Sequence, residues 1–214
     1  MFQKSLVIPK SQLTTVTENT TIQEVYDIFD NPDNAHTRTM PILDESGRLF
    51  RGNIYKQHVF EHIAKGGDMS LPATAIMRNS TKFIYTTSKF YEVFFAIRDL
   101  PFIAVLDENH QFYGIFTHDA LMDLLSQSWS VRSGGVAIAV ATHNEQGDLS
   151  KISKIITRYS NVESLLTIRS EGEPLTVLFT LPLQAESEQL AKLIKHLEKK
   201  QYTVDSVENL NRFK

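Results

Sequence analysis

The feature that most constrains this chain is an internal repeat. Two stretches, from about Val7 to Lys65 and from about Lys82 to Gln127, pass through the same order of signals. Each opens on a β-favouring run (LTTVT, then KFIYTT) and continues into an amphipathic helix, Thr21 to Phe29 and Ser88 to Arg98. Ile22, Val25, Tyr26 and Phe29 recur at helical spacing, as do Tyr91, Phe94, Phe95 and Arg98 in the second copy. Thr20 and Thr21 precede Glu24 in a capping-box pattern, and Ser88 is the expected N-cap of the second helix. A strand, a tight turn and a strand follow, Met40 to Tyr55 and Pro101 to Thr117. Leu43-Asp44-Glu45-Ser46-Gly47 aligns with Leu106-Asp107-Glu108-Asn109-His110. Phe50-Arg51-Gly52-Asn53-Ile54 aligns with Phe112-Tyr113-Gly114-Ile115-Phe116. An acidic turn bearing Asn or Gly between apolar runs is hairpin chemistry. A helix closes each copy, Gln57 to Ala64 and Asp119 to Ser126, and Gly66-Gly67 begins the linker between them. A β-α-β-β-α unit of about 60 residues cannot close a core alone, so the two copies are expected to pack on each other.

From Trp129 to Gly135 the pattern changes and reads as a hinge. A buried strand, Val136 to Thr142, leads through Asn144–Asp148 to a helix, Leu149 to Tyr159, striped by Leu149, Ile152, Ile155 and Ile156. Strands Val162 to Arg169 and Leu175 to Leu183 flank a turn at 170–174. A helix from Ala185 to Gln201 carries Leu190, Leu193, Ile194 and Leu197, and Tyr202 to Val207 is the last strand. The order βαββαβ is a split-βαβ, ferredoxin-like unit.

Composition removes whole classes of function. Cys is 0, which excludes disulfides, thiolate metal sites and cysteine nucleophiles. The formal charge is -3, against a surface that neutralises nucleic-acid phosphates in general. No apolar run approaches the roughly 18 residues that span a bilayer, and the start, MFQKSLVIPKSQLTT, lacks a signal peptide's apolar core. The expectation is a cytoplasmic protein that binds neither membrane nor nucleic acid. His58 and His62 stand four apart, but no HExxH accompanies them, so a surface or capping pair is favoured over a metal site. No GxSxG, P-loop or GxGxxG signature is present. Asp107-Glu108 lie in a turn, and Arg48 and Arg51 flank a hairpin. No nucleophile–base set can be named, and an enzyme is not expected.

The residues Arg38-Thr39-Met40-Pro41-Ile42-Leu43-Asp44, with Leu100-Pro101-Phe102-Ile103-Ala104-Val105-Leu106-Asp107 and Gly114-Ile115-Phe116-Thr117-His118-Asp119-Ala120, make the two repeats resemble a tandem CBS-domain pair, a Bateman module. The run Asn144 to Ile152 makes the C-terminal part similar to an ACT domain. The implied fold is α+β: a tandem CBS-domain pair (CBS domain 1 at 1–67, CBS domain 2 at 68–131) followed by a ferredoxin-like ACT domain at 135–214. This architecture is shared by acetoin-utilization-type regulators and by a class of cyclic di-AMP-binding proteins, and the aromatic-rich second copy is closer to the latter. The resemblance implies ligand sensing, with adenine nucleotides bound in clefts between the copies. The family reads ribose with Gly, two apolar residues, Ser/Thr, two residues and Asp. Here Thr117 holds the hydroxyl position, but Ala120 stands where the Asp belongs and Asp119 lies beside it; the matching positions in copy one are Tyr55 and His58. Neither copy keeps the full element, which argues against the ordinary mode of AMP or ATP binding. A cyclic dinucleotide, whose ribose hydroxyls are partly esterified, escapes that objection.

A nucleotide site needs an apolar slot, backbone groups that read a base edge, and donors for phosphate. The expected ligand-binding set is Arg38, Thr39, Met40, Pro41, Tyr55, Arg98, Pro101, Phe102, Ile103, Thr117, His118, Asp119 and Arg132. Pro at the first residue of a strand leaves nearby carbonyls free, Thr117 can donate to phosphate, and Arg38, Arg98 and Arg132 supply positive charge. Structural roles compete with each: Thr117 as a helix N-cap, Arg98 as a helix-terminating cation, Phe94, Phe95, Phe102 and Phe112 as core. In the ACT-like part, the loop before the helix could hold an amino-acid carboxylate, but Asp148 would repel it and is itself a good N-cap. The expected function is a homodimeric, regulatory receptor for an adenine nucleotide, cyclic di-AMP before others. It would use no cofactor or metal and would relay the signal through the hinge to a protein target. The alternatives are an AMP/ATP sensor, an acetoin-utilization-type regulator, or a structural adaptor with empty clefts.

Overall fold

The repeat is explicit in the backbone of the computed structural model, which describes residues 4–129, 134–169, 171–172 and 174–213. Copy one comprises β2 (Val16–Thr17), α1 (Ile22–Asp30), β3 (Thr39–Leu43), β4 (Phe50–Tyr55) and α2 (Lys56–Ala64), preceded by a short strand β1 (Ile8–Pro9). Copy two comprises β5 (Phe83–Tyr85), α3 (Phe90–Ile97), β6 (Phe102–Leu106), β7 (Phe112–Thr117) and α4 (His118–Ser128). In each copy the first strand runs parallel to the second, which turns back antiparallel into the third. Both hairpins carry a register shift one residue before the acidic turn, at Ile42/Leu43 and at Val105/Leu106. The turn is built alike in both. Asp44 accepts the amides of Arg48 and Leu49, both at 2.7 Å. Asp107 accepts those of Asn109 at 2.8 Å and Gln111 at 2.9 Å. The hydrogen bonds of Ser46 and of Leu49 hold the Asp44 carboxyl down at about 2.

The copies complete each other's sheets. β1, which precedes copy one, pairs with β7 of copy two, giving the order β1-β7-β6-β5. Reciprocally Arg78, which precedes copy two, exchanges backbone hydrogen bonds of 2.8 Å in both directions with Asn53 of β4. The aligned glycines are what admit these crossing segments. A Cβ on Gly114 would sit 2.1 Å from the Ile8 carbonyl oxygen, and one on Gly52 would sit 3.0 Å from that of Arg78. Between the sheets, Leu43 is buried with Phe102, Ala104, Leu106, Phe112 and Ile115, and the aligned rings of Phe50 and Phe112 stack with centroids 5.8 Å apart. The expected packing of copy on copy is therefore observed within the first of two compact units, residues 1–121 and 122–214.

Helix α1 follows its sequence signals: Thr21 caps it through a capping box with Glu24, and Ile22, Val25 and Phe29 are buried. Helix α3 departs from them. Ser88 lies one residue outside its N-cap, Lys89; the Ser88 hydroxyl accepts from the Tyr85 amide at 3.1 Å and donates to Glu92 at 2.8 Å. The buried face is Val93 and Ile97, while Tyr91 and Phe95 are 72% and 63% exposed. The ring-rich stripe and the β-branched stripe both have helical spacing, and the compact residues are the ones that fit against the sheet. Pro41 is the third residue of β3, not its first, whereas Pro101 directly precedes β6.

Unit 2 contains a four-stranded sheet, all neighbours antiparallel, whose strands lie in the spatial order fourth, first, third, second. Its elements run β8 (Val136–Ala141), α5 (Asp148–Ile156), β9 (Ser164–Ile168), β10 (Thr176–Leu181), α6 (Glu188–Lys199) and β11 (Thr203–Asn209), the ferredoxin-like βαββαβ order. Val136, Ile138 and Val140, alternating along β8, meet Ile152, Ile156, Leu190, Leu193 and Leu197 of the two helices in one core. Leu149 is 41% exposed rather than part of the α5 stripe; Asp148 is buried instead. Arg132 and the hinge positions 130–133 lie outside the described residues, as do Ser170 and Glu173 of the expected turn.

Candidate functional site

The amino ends of β3 and β6, with the carboxyl end of β7, bound a cavity of about 590 Å³ inside unit 1. Copy one contributes Arg38, Thr39 and Pro41; copy two contributes Pro101, Phe102, Ile115, Thr117 and Asp119. The segment after β1 closes the wall with Gln12, Leu13 and Thr14, and His36 and Thr37 border Arg38. Pairing across each hairpin places these residues: Thr39 is opposite Tyr55 in copy one, and Phe102 is opposite Thr117 in copy two. The His118 amide donates to the Pro101 carbonyl at 2.9 Å, as the Lys56 amide does to Arg38 at 2.9 Å, so each closing helix is fastened to the start of its own copy's second strand.

The Thr117 hydroxyl accepts the Ala120 amide at 3.1 Å and so caps α4. Its own hydrogen is left for a second acceptor, so the structural and ligand-contacting roles are compatible. Arg38 is exposed and makes no ion pair among the described residues. Asp119 borders the cavity, one position before Ala120, where the resembled family's ribose element has its Asp.

A second cavity, of about 760 Å³, adjoins the first and shares Arg38, Thr39 and Pro101 with it. It extends over α2 past Tyr55, Lys56 and Phe60. The Tyr55 hydroxyl, which stands where Thr117 stands in the other copy, accepts a hydrogen bond from the Asn79 side chain. The His58 ring packs edge-on against Tyr55 at 5.4 Å.

The remaining expected residues are placed elsewhere. Met40 and Ile103 are 0% and 1% exposed and lie in the core, because successive strand residues face opposite ways. Arg98 borders neither cavity; it is exposed and pairs with Asp99 at 3.1 Å, a contact that holds the Asp99 carboxyl below its ordinary range. His118 borders neither cavity and contributes its backbone amide. Gln12, Leu13, Thr14, His36 and Thr37 border the cavity without belonging to the expected set. Their only sequence signal is position, since they precede β2 and β3, and it becomes readable once β1 is known to cross to copy two.

The loop of unit 2 offered for an amino-acid carboxylate is filled by its own chain. Gly147, at φ 91°, is the N-cap, and Asp148 turns back to accept the amides of His143 at 2.8 Å and Glu145 at 3.1 Å and the Tyr202 hydroxyl at 3.3 Å. Burial pushes the Asp148 carboxyl up, but these donors outweigh it and hold the carboxyl below the ordinary range. Among the described residues no group of three His, Asp or Glu side chains converges as a metal site, and no helix is long and apolar enough to cross a membrane.

The CBS-domain family model matches residues 5–65. No curated protein matches the chain. Several solved structures share the fold of about three fifths of the chain. A structure of CbpB in complex with c-di-AMP is 14% identical with a TM-score of 0.51, covering 59% of this chain and 85% of that one. A CBS domain-containing protein from Bacillus anthracis is 19% identical with a TM-score of 0.51, covering 59% and 94%. A CBS domain protein from Streptococcus pneumoniae is 13% identical with a TM-score of 0.51, covering 58% and 86%. The repeated β-α-β-β-α units thus form an α+β tandem CBS fold, and the first copy carries the family's sequence pattern.

Proposed function

We propose that the chain is a cytoplasmic, non-catalytic regulatory protein that senses an adenine nucleotide, cyclic di-AMP before others, in the cleft of its CBS pair. The observation that carries this reading is convergence. Arg38, Thr39 and Pro41 of one copy and Pro101, Phe102, Thr117 and Asp119 of the other border a single cavity of about 590 Å³, a size suited to a small organic ligand. Phe102 and Pro41 offer apolar surface for a base. Arg38 and the Thr117 hydroxyl offer phosphate donors, and Asp119 an acceptor for a free hydroxyl. The adjoining second cavity, sharing Arg38 as a common wall, favours a ligand with two nucleotide halves over one with a single half. The bound c-di-AMP of CbpB, which has the same fold, supports the same choice.

In this reading the domains are 1–67, 68–131 and 135–214, and unit 2 is an ACT-type output and dimerisation element. Its sheet edges are β9 and β11, and β9 bears Leu165 and Ile168 at 40% and 43% exposure, which an edge-to-edge homodimer would cover. Ligand acts on a protein target by favouring one arrangement of the two CBS copies over another. Calorimetry of the full chain with cyclic di-AMP, AMP, ATP and S-adenosylmethionine tests the choice. Cyclic di-AMP should bind, and Arg38→Ala should weaken it about tenfold or more. Heat from AMP with none from the dinucleotide overturns the ligand. No response to any of the four overturns the receptor reading and leaves an adaptor.

A further inference from the structure

A groove between α5 and α6, in unit 2, gathers positive charge, only part of which the fold itself pairs. Lys151, Lys154 and Arg158 fall at i, i+3 and i+7 along α5 and its C-terminal extension, and Lys200 and His196 face them from the end of α6. The cavity they line measures about 410 Å³, and Ile155 contributes apolar surface. Lys151 is partly neutralised by Glu145 at 3.5 Å and Asp148 at 3.7 Å. Lys154, Arg158 and Lys200 have no ion pair among the described residues and are exposed.

Helix dipoles explain part of this, since a cation suits a helix C-terminus. They do not explain why the cations of two helices are aimed into one cavity. Lys154 and Arg158 are like charges lining the same cavity, and neither has an ion-pair partner among the described residues. At the end of the groove His143 stacks on Tyr202 with ring centroids 4.6 Å apart and an interplanar angle of 11°. The His143 side chain is exposed while Tyr202 is buried, so the outer imidazole face is open to a flat group.

We propose that this groove is a second ligand site, independent of the CBS cleft, for a small molecule bearing linked phosphoryl groups. The cations run from Lys151 and Lys154 on α5 to Arg158 just past its end, a spread that suits a chain of phosphoryl groups better than a single anion. The cluster is confined to one cavity of a chain with net charge -3, whereas a nucleic-acid surface neutralises many phosphates along a stripe.

The test is calorimetry of the full chain with inorganic tripolyphosphate, which carries no base and so does not depend on an adenine-reading cleft. Binding is expected, weakened about tenfold or more by each of Arg158→Ala and Lys154→Ala and unchanged by Arg38→Ala in the CBS cleft. Circular dichroism verifies that the variants fold, and cyclic di-AMP binding should be the same in Arg158→Ala as in the parent. Three results overturn the proposal: no binding of tripolyphosphate, binding that survives Arg158→Ala and Lys154→Ala, or a short DNA duplex binding more tightly than tripolyphosphate through the same residues.

Discussion

Replacing Gly114 by Ala should destabilise unit 1 far more than the same change at its counterpart Gly52. The added Cβ would lie 2.1 Å from the Ile8 carbonyl oxygen and 3.0 Å from both the Ile8 carbonyl carbon and the Pro9 Cα. All three atoms are backbone, so no rotamer change relieves the clash, and β1 must withdraw from β7. Withdrawal exposes Val7, now 7% exposed, at about 1.5–3 kcal/mol. It also forfeits one or two backbone hydrogen bonds at roughly 0.5–1.5 kcal/mol each. The stiffer unfolded chain returns about 0.4–1 kcal/mol. The net expectation is a loss of about 2–4 kcal/mol. At Gly52 the contacts are 3.0 Å to the Arg78 carbonyl oxygen and 3.2 Å to the Met77 sulfur, which a shift of tenths of an ångström relieves, for about 1 kcal/mol or less. Urea unfolding followed by far-UV circular dichroism measures the difference. With a slope of about 1–3 kcal/mol/M, Gly114→Ala should lower the midpoint by roughly 1 M or more. Because Gln12, Leu13 and Thr14 wall the cleft just after β1, the variant should also bind cyclic di-AMP more weakly. If Gly114→Ala is no less stable than Gly52→Ala, the strand exchange between the copies is not what these glycines serve.

Two further outcomes follow from the site and its scaffold. Thr117→Val removes the hydroxyl that accepts the Ala120 amide, so it should cost about 1 kcal/mol of stability in the same urea assay and weaken nucleotide binding by calorimetry; Thr117→Ser should retain both. Asp44, with its carboxyl depressed from 3.8 to about 2 by the hydrogen bonds of Ser46 and Leu49, stabilises the hairpin only while ionised. Its contribution is full above the unfolded value and is lost as pH falls through about 2. Asp44→Asn should therefore melt below the parent at neutral pH, with the gap closing between about pH 4 and pH 2 in thermal melts.

What the sequence disclosed was periodic or paired, and what it hid was reciprocal. The repeat alignment set Gly52 against Gly114, and the fold shows why: each lies under the segment that crosses from before the other copy. The capping box at Thr21 and Glu24 was readable because both partners lie within one helical turn. Helix α3 departs from its pattern because rings at 91, 94 and 95 share helical spacing with Val93 and Ile97, and only the sheet beneath decides which stripe is buried. Leu149 and Asp148 exchanged their expected places for a related reason. Three donors, the amides of His143 and Glu145 and the Tyr202 hydroxyl, outweigh the desolvation of one carboxylate, and all three lie outside the helix that the pattern describes. The candidate cleft divides along the same line. Arg38, Thr39, Pro101 and Thr117 sit at strand ends that the repeat locates. Gln12, Leu13 and Thr14 reach the cleft only because β1 leaves its own copy to pair with β7. Its two residues, Ile8 and Pro9, carry no alternation from which that pairing could be read. A ligand held in this cleft would touch both copies and the segment that ties them together. This is the arrangement in which binding energy can act on how the copies are packed.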